Sequence, residues 1–308
     1  MKDFKKFIIS VLSVIAIVFI VDWGLGFILD RNAVFIDQAK YKRITNAKED
    51  LVVLGASRAQ NQYVTTIIED SLNLSAYNYG VGAQNVYSNY AVLDMLINKS
   101  PSKPKMVIWD FYYTDIQDSP GWNTEKITSL YTAYNYDELI KEVVNLQGNK
   151  KRIMLSYINL YKFNSKLPRV IKPEQCEEAG GYSPLFFVNN EPITTVKSDR
   201  TNIDKQKINY INKFIDLCVD NDVKLFVFIS PAFYRIGSID SGDWANVIEA
   251  ICYERTIPFY NYEQNELFLE HPEWFFNMIH LNDTGAKEYT YRVVEDVKDY
   301  LNKHSIVK

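Results

Sequence analysis

From residue 51 onward the chain alternates between short apolar runs and longer stretches in which apolar residues recur every three or four positions. The runs "LVVLG" (51–55), "AYNYG" (76–80), "KMVIWDFYY" (105–113), "VKLFVFISP" (223–231) and "IPFYNY" (257–262) read as buried strands. Helical periodicity fills the intervals: a stretch to about Ser71, then "NYAVLDMLINK", "INYINKFIDLCVDND" and "DWANVIEAICYERT". Short strands separated by helices of this length predict parallel pairing through right-handed crossovers. The final segment "NDTGAKEYTYRVVEDVKDYLNKH" places Ala286, Tyr289, Val293, Val297 and Tyr300 on one helical face, with Asn282 or Asp283 as N-cap, and closes the sheet.

The fold class this implies is α/β, a flavodoxin-like three-layer sandwich about a five-stranded parallel sheet. Between about 114 and 200 the alternation is lost. Helical patches such as "LSYINLYKF" sit among polar turns, and the segment reads as a mostly helical insertion over the carboxyl ends of the strands, within a domain spanning 50–308. Its tyrosines, among them Tyr131, Tyr134 and Tyr136, offer aromatic faces with polar tips, suited to sugar rings or acyl chains and equally common in cores.

Residues 7–29 form an apolar run broken only by Asp22, long enough to cross a bilayer, which takes about 20 residues. No small-residue cleavage site follows it, which favours an uncleaved single-pass transmembrane anchor over a signal peptide. Lys2, Lys5 and Lys6 predict a cytoplasmic N-terminus (1–6) and an extracytoplasmic main domain, although Lys40, Lys42 and Arg43 in the connector (30–49) weaken the asymmetry. Asp22, close to the outer end, is expected near the headgroups within reach of water.

A 47% apolar, 23% charged composition supports a folded core and argues against disorder. A formal charge of −4 with no basic stripe excludes the electrostatic footprint of nucleic-acid binding. Cys176, Cys218 and Cys252 have neither metal nor redox spacing and read as isolated apolar residues. His271, His280 and His304 are scattered, so no metal or other cofactor is expected.

Candidate chemistry lies where the first strand stops, at "LVVLGASRAQNQY". Ser57 either caps the helix that follows or is held at the mouth of a cleft, because open parallel sheets bind ligands beyond the carboxyl ends of their strands. His280, in "FFNMIHLNDTG" before the last helix, can return to the same edge, as an imidazole must if it is to take the serine's proton.

"VLGASRA", "YNYGVGAQ" and "NMIHLNDTGAKEYT" together resemble the first, second and last blocks of the SGNH or GDSL-type hydrolases, in particular their membrane-anchored bacterial envelope branch. The resemblance implies Ser57 as nucleophile and His280 as general base, with Asn277 standing where the family usually has the aspartate that orients the ring. It implies an oxyanion hole from the N–H of Ser57 and of Gly82 or Ala83, and substrate contacts from Arg58, Asp110, Tyr112 and Tyr113, the last three lying where a G-x-N-D block would be expected. The G-x-S-x-G elbow of α/β-hydrolases fits less well, since Ala59 stands two residues after the serine. The implied activity is that of a serine esterase or O-acyltransferase acting on acyl groups, such as O-acetyl, of an envelope polysaccharide. Its partners would be membrane lipid, a carbohydrate or acyl-ester substrate and other envelope polysaccharide enzymes. The alternative is a catalytically degraded relative that binds glycan or scaffolds such a complex.

Overall fold

The computed structural model describes residues 2–32, 36–117, 137–147, 150–155, 157–163, 180–196, 200–237 and 242–305. Tyr131, Tyr134, Tyr136 and Cys176 lie outside them. The five apolar runs pair as expected. Strands β1 (Leu51–Gly55), β2 (Ala76–Asn78) and β3 (Met106–Asp110) join two later strands, Lys224–Ile229 and Phe259–Asn261. A three-residue strand β4 (Thr194–Val196) intervenes in sequence, so these later strands are β5 and, after β6 (Tyr234–Ile236), β7. The sheet order is β2-β1-β3-β5-β7 and every pairing is parallel.

Both faces of this sheet are covered, and the period of two along each strand divides the core. Val52, Leu54, Val107, Trp109, Leu225, Val227 and Ile229 face one apolar cluster. Helices Val86–Asn98, Lys205–Asp220 and Trp244–Glu254 supply its other side. Leu51, Val53, Met106, Ile108, Phe226 and Phe228 face the opposite cluster, completed by the C-terminal helix Asp283–Ser305. Cys218 and Cys252 sit inside the first cluster as small apolar residues.

Numbered along the chain, the helices are α1 (Lys2–Asn32), α2 (Ile36–Ile44), α3 (Ser57–Gln62), α4 (Thr65–Leu72), α5 (Val86–Asn98), α6 (Glu138–Gln147), α7 (Lys150–Leu155), α8 (Asn159–Lys162), α9 (Lys205–Asp220), α10 (Trp244–Glu254), α11 (Glu266–Leu269) and α12 (Asp283–Ser305). The single helical stretch expected after β1 is in fact two, α3 and α4. Tyr63 breaks them with extended backbone (φ −118°, ψ 104°), its carbonyl taken by Asn78 Nδ2 at 3.1 Å and its hydroxyl donated to Asp110. The α12 cap is Asn282, whose Oδ1 accepts the Gly285 N–H at 3.1 Å, while Asp283 accepts the Tyr182 hydroxyl instead.

α1 is long and apolar enough to cross a membrane, a test that a signal sequence also passes. α2 packs into the first cluster through Tyr41 and Ile44, and its buried Lys40 donates to the carbonyls of Gly80 (2.7 Å) and Gly181 (2.8 Å). Two small pairings were not legible in the pattern: β4 with β6, and a hairpin of β8 (Phe275–Asn277) with β9 (His280–Leu281). At two and three residues these strands are too short to show a period.

Candidate active site

β1 delivers Ser57 through a turn that only glycine can make. Gly55 adopts φ +145°, and a Cβ there would lie 2.7 Å from the Asp110 carbonyl oxygen and 2.8 Å from the Ala59 Cβ. Ala56 is the N-cap of α3 and makes no side-chain capping bond, so Ser57 is the first helical residue and not the cap. Its hydroxyl is committed elsewhere, to Nε2 of His280 at 2.8 Å, across 223 positions of sequence.

The β8–β9 hairpin fixes the imidazole. Oδ1 of Asn277 accepts three hydrogen bonds, from the backbone N–H of Ile279 (3.0 Å), the backbone N–H of His280 (2.9 Å) and Nδ1 of the His280 ring (3.1 Å). The two backbone donors decide which way the amide faces, because a flipped amide would oppose its NH₂ to two N–H groups. The ring nitrogen facing that oxygen must therefore carry the proton. Nε2 is left with its lone pair towards Ser57, the tautomer a general base requires.

The remaining last-block residues hold this hairpin against α12. Leu281 is fully buried, Asn282 caps the helix and donates to the Glu273 carbonyl at 2.6 Å, and a Cβ on Gly285 would fall 2.2 Å from the Trp274 carbonyl oxygen. On the opposite side Gln62 of α3 donates to the Ile279 carbonyl at 3.0 Å, tying the helix that begins at Ser57 directly to the histidine's turn.

The second block lies against the serine. Gly80 packs so tightly on α3 that a Cβ would meet the Gln60 nitrogen at 2.6 Å, and the same construction at Gly82 comes 3.9 Å from the Ser57 Cβ. The Gly82 N–H donates to Oε1 of Gln60 at 2.9 Å, so a carbonyl-type oxygen occupies the place an oxyanion would take on that donor. Ala83, next to it, sits in the left-handed region at φ +65°. The Ser57 N–H, in the first turn of α3, has no acceptor within the helix.

Arg58 and Asp110 are each 1% exposed and lie in the interior behind Ser57. The Arg58 guanidinium donates to the Ser230 carbonyl, approaches Asp110 with Nε 3.9 Å from Oδ2, and stacks 4.4 Å over the Tyr112 ring. Asp110 accepts from the hydroxyls of Ser230 and Tyr63, and Tyr63 in turn meets Tyr289 at 3.1 Å. Burial pushes the Asp110 carboxyl up, and Arg58 with these hydroxyls opposes it. Arg58 and Asp110 thus face each other in the interior, whereas Tyr112 and Tyr113 are half-buried and pack against the first apolar cluster, ring centroids 4.4 Å apart.

Burial, and after it the neighbouring Arg58 charge, lower His280 from 6.5 to about 4. The ring is neutral at pH 7. Among the described residues no group of three or more His, Cys, Asp or Glu side chains converges as a metal site would. What the arrangement can do is take a proton from Ser57 as its oxygen attacks an electrophilic carbon.

No family model and no curated protein matches the chain. Among solved structures it is similar to a Bacteroides fragilis protein provisionally described as an acylhydrolase, over 86% of this chain and 94% of that one, at 11% identity and a TM-score of 0.41. A likeness that distant does not bear on chemistry, and the site has to be read from its own geometry.

Gln60, Gln62, Asn78 and Ser230 were not singled out from sequence. One signal was present: α3, "SRAQNQ", is almost wholly polar yet lies beside a buried strand, and polar side chains in that position must be hydrogen-bonded.

Proposed function

We propose that the chain is a serine ester hydrolase or O-acyltransferase of SGNH type. The observation that carries this is the relay Asn277 Oδ1, His280 Nδ1–H, His280 Nε2 and Ser57 Oγ, at 3.1 and 2.8 Å. Ser57 Oγ attacks the acyl carbonyl and passes its proton to Nε2. The tetrahedral oxyanion takes the N–H of Ser57 and of Gly82, the latter once the Gln60 oxygen withdraws. Collapse expels the alcohol, which takes the proton back from His280, and leaves an acyl group on Ser57. Water or a sugar hydroxyl, deprotonated by the same nitrogen, then attacks the acyl carbon, and His280 returns the proton to Ser57 Oγ as the acyl bond to it breaks.

The substrate class proposed is an O-acylated, in particular O-acetylated, envelope polysaccharide. α1 serves as a single-pass anchor with the catalytic domain outside the cytoplasmic membrane, beside other enzymes acting on the same polymer. This rests on α1 and on the resemblance of the three motif blocks. The test is release or transfer of acetyl from an O-acetylated envelope glycan by the full chain. Acetate, or acetylated acceptor, is expected with wild type and not with Ser57→Ala; a wild type that cleaves simple esters and leaves the glycan untouched would contradict the substrate class.

Asn277 in place of a carboxylate favours a second reading, a noncatalytic glycan-binding relative. Turnover itself separates the two, and its pH dependence tests the state of the ring. With its pKa at about 4, His280 remains a free base through the acid range. kcat/KM is expected to stay level from neutral pH down to about pH 5 and to fall as pH drops through about 4, the free-enzyme pKa that such profiles report. Stability follows the same group: between 6.5 and about 4 the unfolded chain binds a proton that the folded chain does not, so folding weakens as pH falls through that window. A kcat/KM profile with its acid limb near 6.5 would contradict the burial assigned to this ring.

A further inference from the structure

Asp22 is the one charge in the apolar run of α1, and at 7% exposure it is covered by protein. Its carboxylate accepts the backbone N–H of Asn159 at 2.9 Å and of Leu160 at 2.7 Å, together with the Asn159 side chain at 3.3 Å. It takes the first two N–H groups of α8, whose N-cap residue is Ile158, from a helix 137 residues earlier in the chain. One turn on, Gly26 leaves room for Asn159, whose Cγ would lie 2.2 Å from a Cβ at that position. One turn further, Leu29 packs with Phe163 and Leu25. Asp22, Gly26 and Leu29 are one stripe of α1, and the insertion lies along it.

This fixes a depth. At 1.5 Å rise per residue, Asp22 lies about 10 Å inside Leu29, towards the middle of the apolar run. The chain around Asn159 and Leu160 is held at that level whichever way α1 points, because the domain follows the C-terminal end of α1. The side chains there suit lipid: Met154 and Tyr157 are each 65% exposed, Ile158 43%, Leu160 41% and Tyr161 36%, and α1 itself exposes Trp23, Phe27 and Ile28. Charges gather on the domain side, where Lys42 lies 3.8 Å from Asp30 and Lys162 is within electrostatic reach of both. Exposed apolar groups interleaved with tyrosines, with mixed charge on the domain side, is the pattern of a membrane boundary. Backbone N–H groups placed at apolar depth require a partner within the protein, and Asp22 is one.

We propose that residues 154, 155 and 157–161 are a second membrane contact, seated in the acyl-chain region below the headgroups of the bilayer and bracketed to α1 by Asp22. The proposal rests on α1 being a membrane anchor. The bracket holds the catalytic domain at a set height and rotation over the lipid.

The experiment places single nitroxides in the full chain, on a Cys176→Ser background, reconstituted into phospholipid vesicles. Leu160→Cys and Met154→Cys report the proposed contact, Val14→Cys the anchor, and Tyr253→Cys, at a residue 86% exposed, the aqueous surface. Labels at 160 and 154 are expected to collide with dissolved oxygen in preference to a nickel chelate, as the label at 14 does and the label at 253 does not. Asp22→Leu is expected to shift the 160 label towards the nickel-accessible value while leaving 14 unchanged. A lipid-exposed label at 14 with water-exposed labels at 160 and 154 would overturn the second contact and leave the anchor intact. A water-exposed label at 14 would overturn the anchor itself, and an unmoved 160 label in Asp22→Leu would overturn the bracket.

Discussion

Ser57→Ala and His280→Ala are each expected to lower kcat for a simple acetyl ester by about 10³-fold, and the double variant to be scarcely worse than either, because groups that act as one unit are not additive. The magnitude follows from the unusual third member. In a serine protease the complete unit is worth about 10⁶ in kcat and loss of its aspartate alone about 10⁴, leaving roughly 10² for the serine and histidine. Asn277 keeps the productive tautomer, through the two backbone N–H groups that lock its amide, so this site belongs above that floor. Losses that add, with each single variant retaining most of the rate, would mean that Ser57 and His280 are neighbours at 2.8 Å without sharing a proton.

Asn277→Asp is expected to raise kcat for the same ester by about 10- to 100-fold. A carboxylate in that place accepts the same three hydrogen bonds and adds a negative charge beside the imidazolium that forms during attack. Raising the His280 pKa by one to two units corresponds to about 1.4 to 2.8 kcal/mol of preference for the charged ring, which sets the size of the gain. The acid limb of kcat/KM should move up from about 4 in the same variant, the signature that a merely structural effect would lack. The new charge also offsets the nearby Arg58, the second cause of the depressed pKa. A variant with the wild-type limb and unchanged kcat would show that the ring never becomes charged in the rate-limiting step.

The sheet was legible because its strands are buried on both faces, so β1, β3 and β5 stand out as apolar runs whose alternate residues face different clusters. The break between α3 and α4 was not, because it is imposed from outside by Asn78 on the Tyr63 carbonyl and by Asp110 on its hydroxyl. Ser57, His280 and Asn277 were singled out through motif blocks, and the structure brings their side chains together by local devices those blocks contain: Gly55 at the turn, Asn282 at the α12 cap, Gly285 in close approach to Trp274. Arg58 and Asp110 show the limit. A charged residue next to a nucleophile reads as a substrate contact, and only three-dimensional packing reveals two charges turned towards each other in the interior behind Ser57. Asp22 was expected near water, and its partners lie more than a hundred positions away, beyond the reach of any local pattern.

The central claim is that His280 makes Ser57 a nucleophile, and covalent capture tests it without knowledge of the substrate. The full chain is treated at neutral pH with a fluorophosphonate, and the modified peptide is identified by mass spectrometry. A single adduct on Ser57 is expected, absent in Ser57→Ala and formed far more slowly in His280→Ala. A folded wild type that stays unmodified at Ser57, or is modified equally fast without His280, would contradict it.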